Sequence, residues 1–200
     1  MTQTNKNLRL TLATWLSRLL HPFSLVFVIL LLIQLLSGQT LLKALLWSLL
    51  SFAILVLPAL SFITFRIRKG RYQDMGVSLR EDRTLLYLIG GLSFIVLLLT
   101  LYLFKAPHYL QLSLQAAFLA MLIGAVFNRF INKLSLHTLG VSGSATALFY
   151  LSWPLGLVFG FLSVLVAWSR LTLSRHILPE VVWGWLVGVL SVVVWFSLRS

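Results

Sequence analysis

The chain has 200 residues, 60% of them hydrophobic and 10% charged, with a mean hydropathy of +0.99. Soluble domains carry about 25% charged residues, so an ordinary water-soluble fold is excluded, and the chain reads as an all-α polytopic membrane protein, a bundle of six to seven transmembrane helices. The absence of cysteine excludes disulfides and thiolate metal sites, and a net charge of +12 on so apolar a chain points to phosphate or anionic lipid head groups rather than to nucleic acid.

Residues 1–20 are polar and then amphipathic, with Lys6, Arg9 and Arg18 set among Leu8, Leu12, Trp15, Leu16 and Leu19. This pattern predicts a short helix lying on the membrane surface and running into a bundle formed by residues 21–200. No small-residue cleavage pattern follows the apolar run, which argues against a cleaved signal peptide. His21-Pro22 marks a break, and spans are expected at about 23–37, 41–65, 85–104, 109–127 and 181–198. Between the second and third lies the longest polar segment, which holds Arg66, Arg68, Lys69, Arg71, Asp74, Glu81 and Asp82. Ser78 and Glu81 fit a capping box opening the third span.

Residues 128–144 read as a polar stretch. Its Gly140–Ser144 run lacks the lysine and preceding strand of a phosphate loop and suits close helix packing. Residues 145–168 form either one long span or a hairpin breaking at Trp153-Pro154-Leu155-Gly156. Two hairpin helices of about 15 residues would rise only about 22 Å each, short of the roughly 30 Å apolar slab. With the hairpin, thirteen of the sixteen Lys and Arg share one side, and Lys43, Lys105 and Arg199 lie opposite. The positive-inside rule makes the crowded side cytoplasmic.

His137 and His176 sit in polar segments on that side, whereas His21 and His108 adjoin prolines and read as interfacial rings at helix ends. Pro179 suits the first turn of a helix, so His176 falls at the start of the last span with Glu180 four residues on. A carboxylate on one imidazole nitrogen leaves the other as base or nucleophile, and Arg170 and Arg175 beside a helix N-terminus could hold phosphate. The spacing alone is equally compatible with a solvated His and Glu beside two snorkelling arginines. Trp168, Trp183 and Trp185 read as an interfacial belt.

The run Ser169-Arg170, five residues, His176, three residues, Glu180 resembles the third signature of the type 2 phosphatidic acid phosphatase superfamily, with Glu where that family has Asp. Lys133-Leu134-Ser135-Leu136-His137-Thr138 is similar to its second signature, with leucines replacing Pro and Gly. The first signature has no intact counterpart; Arg80-Glu81-Asp82-Arg83 is the nearest. The resemblance implies a metal-independent membrane lipid phosphatase without cofactor, acting on phosphatidate, phosphatidylglycerol phosphate or an isoprenyl diphosphate. It implies His176 as nucleophile oriented by Glu180, and His137 as acid and then base. Arg170, Ser135 and Ser169 would hold phosphate, and Lys133, Arg83 or Arg80 would supply the missing first-signature charge. A multi-pass location in a bacterial inner membrane is expected, with the active face cytoplasmic on the positive-inside count rather than on the resemblance. The alternative is a non-catalytic lipid-binding or transport-associated descendant that keeps the basic pocket.

Overall fold

A computed structural model describes residues 3–71 and 83–199. Arg80 and the proposed capping box therefore lie outside the described residues. Among the described residues eight helices run in chain order: α1 (Gln3–Leu19), α2 (Pro22–Leu36), α3 (Leu41–Arg68), α4 (Arg83–Leu103), α5 (His108–Phe130), α6 (Leu136–Leu151), α7 (Trp153–Thr172) and α8 (Leu178–Arg199). No strand occurs among the described residues. Five helices, α3, α4, α5, α7 and α8, are long and apolar enough to cross a membrane, and α1 with α2 forms a sixth candidate bent by 52° at His21-Pro22. Large apolar side chains such as Leu42, Leu88 and Phe161 point outward, as a lipid solvent permits and water does not. The chain is an all-α, multi-pass membrane protein.

Local chemistry sets the ends. His21 Nδ1 accepts from the Phe23 N–H at 3.2 Å, capping α2, and Pro22 occupies its first turn. Gly38, with φ +79°, closes the α2–α3 turn in a left-handed conformation that costs glycine nothing. Ser135 caps α6 through its hydroxyl, and Ser174, with φ +51°, reverses the chain between α7 and α8.

The 145–168 ambiguity resolves as a hairpin, but its boundaries differ from the expected ones. The break falls at Ser152, with extended backbone, and Trp153 and Pro154 open α7 rather than end α6. The stretch expected to be polar to 144 is helical from Leu136, because its Gly, Ser, Val and Thr residues face neighbouring helices instead of water. The two arms therefore have 16 and 20 residues, about 24 and 30 Å. The shorter arm, α6, is sheltered by α2, α5, α7 and α8, all of which it contacts.

Glycine makes the α6–α8 contact close. A Cβ on Gly184 would sit 2.5 Å from the Ser135 carbonyl oxygen and from Thr138 Oγ1, and one on Gly188 would collide with Ser142 Oγ and the Leu139 carbonyl. Gly143 in turn abuts the Gly188 carbonyl, 3.3 Å from its own would-be Cβ. Hydroxyls stitch the seam: Thr138 Oγ1 donates to the Val181 carbonyl at 3.2 Å and Ser142 Oγ to the Trp185 carbonyl at 3.1 Å.

Because backbone atoms are the obstacles, Gly184→Ala and Gly188→Ala are expected to destabilise the bundle by about 1–3 kcal/mol each. A Cβ on Gly160 meets nothing within 4 Å, so Gly160→Ala should be neutral or slightly stabilising. Thermal melts in detergent separate these outcomes, and equal shifts at all three positions would contradict the packing account.

Candidate functional site

At the cationic end of the bundle the α6 and α8 N-termini meet. The Ser135 N–H donates to the Glu180 carbonyl at 2.9 Å, bridging the two helices one turn before the glycine seam begins. Glu180 turns its side chain back along α8: Oε2 lies 2.7 Å from His176 Nδ1, and the Ile177 N–H approaches the same oxygen at 3.4 Å. Both side chains are buried, His176 at 1% and Glu180 at 6% relative exposure. A carboxylate so deeply withdrawn from water requires donors. An ionised Glu180 obtains one if Nδ1 carries the imidazole proton, which leaves Nε2 with the lone pair.

Lys133 Nζ stands 3.9 Å from the same Glu180 oxygen. Ser135, fully buried, accepts from the Thr138 N–H at 3.4 Å as the α6 cap. Ser169, also fully buried, donates back to the Val166 carbonyl at 2.8 Å within its own helix. Sequence had assigned all three to phosphate; in the structure Lys133 attends the carboxylate, and both serine side chains make bonds within their own helical turns. Arg83 opens α4.

His137 and Arg170 do share a cavity. Its volume is about 960 Å³. Arg18, Arg170, Arg175, His21 and His137 line its polar part, and Phe27, Leu49, Phe52, Val56 and Leu60 of α2 and α3 line its apolar part. None of the described lining residues is acidic. His176 and Glu180 are not part of this wall; Arg175, the residue before His176, is. Arg170 is itself buried and donates through Nη1 to Ser17 Oγ of α1 at 2.9 Å. A smaller, almost wholly apolar cavity of about 240 Å³ adjoins this one and shares His21, Phe23, Val56 and His137 with it.

Two features escaped the sequence reading. His21, taken for an interfacial ring, packs edge-on against His137 with ring centres 4.7 Å apart. With Nδ1 occupied by the Phe23 N–H, a neutral His21 holds its proton on Nε2. Only its place beside a break hinted at this, since proximity to His137 is a long-range contact. The amphipathic α1 packs along α7, with Ala13 and Ser17 buried and Arg9 5.9 Å from the Trp168 ring centre. Trp168 therefore serves α1 docking. Trp185 donates Nε1–H to Ser163 Oγ at 3.0 Å, and Trp183 lies against Phe127.

Compared with models of protein families, with curated proteins and with solved structures, the chain matches none at a significant level.

Proposed function

We propose that the chain is an integral-membrane lipid phosphatase acting on a phosphomonoester or diphosphate at the end of a lipid. The observation that carries this reading is the cavity in which His137 stands with Arg18, Arg170 and Arg175 at one end and an apolar trough lies at the other. That division matches an amphiphile with an anionic head: guanidinium forks suit phosphate oxygens, and the α2–α3 trough suits a hydrocarbon tail. The buried His176–Glu180 pair supports it as well, because it has the arrangement of an oriented nucleophile.

In this mechanism His176 Nε2 donates its lone pair to phosphorus, forming the P–N bond as the ester P–O bond breaks. His137 protonates the departing alkoxide and then takes a proton from the incoming water. Water oxygen displaces the imidazole, releasing inorganic phosphate and restoring His176. Arg170 meets the charge on the phosphoryl oxygens. Glu180 acts through His176, keeping Nδ1 protonated and Nε2 directed away from the carboxylate. Arg175, which lines the cavity, is the residue before His176, so a phosphate held at the arginine end lies at the cavity wall next to His176 in the chain.

The purified protein should release phosphate from phosphatidate, phosphatidylglycerol phosphate or an isoprenyl diphosphate in the presence of EDTA. His176→Ala should reduce release to background, and His137→Ala should cost about 10²–10⁴-fold. No turnover on any of the three lipids, or variants as active as the parent, would leave the non-catalytic lipid-binding reading. That second reading has its own support in Lys133, Ser135 and Ser169, whose bonds lie elsewhere.

Glu180→Gln preserves shape but offers His176 either a carbonyl or an amide. A loss of about a hundredfold or more in kcat is expected. Glu180→Asp, which retains the charge on a shorter arm, should recover part of that loss. An equal loss in both, with lowered thermal midpoints, would mark Glu180 as structural.

We also place the cationic end on the cytoplasmic side of a bacterial inner membrane, on the thirteen-to-three distribution of Lys and Arg. Single cysteines at Ser78, Gln39 and Ser197 test this in intact cells with an impermeant thiol reagent. Gln39 and Ser197 should label and Ser78 should not; the reverse pattern puts the site outside.

A further inference from the structure

Four observations converge on α1. Arg18, in its last turn, lines the cavity together with Arg170 and Arg175. The preceding residue, Ser17, accepts from the buried Arg170 guanidinium at 2.9 Å. Arg9, two turns earlier, lies over the Trp168 ring of α7, and Ala13 between them is fully buried. His21, just beyond, is wedged against His137. The helix is thus fixed at its middle and at its end, and the guanidinium it brings to the cavity is attached to a docked scaffold.

We propose that Arg18 is a substrate-binding residue: it holds the phosphate of the lipid head jointly with Arg170, so that α1 forms one wall of the head-group site. This rests on the lipid-phosphate reading of the same cavity. Arg170 is oriented by Ser17, and Arg18 follows on the same helix, so one docking event sets both guanidinium groups. A planar fork from each side can grip a tetrahedral dianion whose tail lies along Phe27, Phe52 and Val56. The ligand class is a lipid carrying a terminal phosphate, with the phosphate itself as the contacted group.

Binding is measured on the full-length His176→Ala protein in a neutral detergent, where nothing is turned over, by tryptophan fluorescence. The probes are phosphatidate, inorganic phosphate and diacylglycerol. Adding Arg18→Ala should weaken phosphatidate about tenfold or more, as loss of a charge-assisted contact does. Inorganic phosphate should bind more weakly than the lipid and lose affinity by a similar factor. Diacylglycerol should be unaffected. Arg18→Lys should recover part of the loss, and Lys43→Ala, which removes the same charge at the opposite end of the bundle, should stay within twofold.

Phosphatidate binding within twofold after Arg18→Ala overturns the proposal. So does an equal loss of diacylglycerol, which indicates a damaged fold, or a loss confined to the lipid with inorganic phosphate unchanged, which indicates contact elsewhere on the head. A parent that binds neither phosphate probe also overturns it. Binding that depends on Arg18 in a protein without phosphatase activity keeps this assignment and removes the catalytic one. Activity that depends on His176 but not on Arg18 does the opposite.

Discussion

The bond from the Ser135 N–H to the Glu180 carbonyl joins two helices that ordinary side chains would hold with their axes 8–10 Å apart. It forms because Gly184 and Gly188 remove the Cβ atoms that would otherwise strike Ser135, Thr138, Leu139 and Ser142. In lipid there is no hydrophobic force drawing helices together, so backbone proximity and interhelical hydrogen bonds have to supply the association. The Thr138 and Ser142 hydroxyls do so at one-turn intervals along the same seam. The consequence for chemistry is positional. His137 is two residues into α6 from Ser135, and Glu180 opens α8, so the seam fixes one histidine motif against the other.

The cationic end of the bundle follows from that constraint and from a second one. Burying Glu180 would be prohibitive without donors; His176 and the Ile177 N–H provide them, and the Lys133 ammonium 3.9 Å away adds its charge. Lys133 is thereby drawn to the carboxylate and away from the cavity wall. The positive charge facing the cavity comes instead from Arg170 in the last turn of α7, from Arg175 in the α7–α8 connection and from Arg18 at the end of α1. An element that composition marks as a surface helix becomes a wall of the cavity because α7 carries Trp168 and Arg170 on its α1-facing side, for Arg9 and Ser17 to engage.

Most of the fold was legible because hydropathy is a local property. The four spans between 23 and 127 and the last one differ from the expected limits by at most three residues, since each is bounded by a proline, a glycine turn or a charge cluster. The hairpin was ambiguous because Pro154 is compatible with a turn, a kink or a helix start, and only Ser152 in extended conformation distinguishes them. The start of α6 at Leu136 was missed because the 128–144 stretch reads as polar by composition, although its Gly140–Ser144 run already reads as a helix-packing surface. The Gly184-x-x-x-Gly188 pattern that makes this possible was present in the sequence, four residues past Glu180.

The site divides along the same line. His176 and Glu180 are four apart in the chain, so their 2.7 Å contact was readable from spacing, although His176 lies in the bend two residues before α8 rather than on its first turn. Arg170 and His137 could be named from their motifs, but their common cavity depends on how α2 packs on α6 and α1 on α7. His21 and Arg18 could not be found that way, because their neighbours His137 and Arg170 are more than a hundred residues distant in the chain. Ser135 and Ser169 show the converse: a hydroxyl beside a motif is taken up by a nearby backbone group, an orphan N–H at a cap or a carbonyl three residues back along its helix. In a membrane interior that local demand is strong, since no water competes for the backbone. Guanidinium groups, with long stems and several donors, can reach the cavity and still bond locally, as Arg170 does with Ser17. That asymmetry is why the charged part of this cavity wall is built from arginine and histidine, while the motif hydroxyls of Ser135 and Ser169 stay out of it.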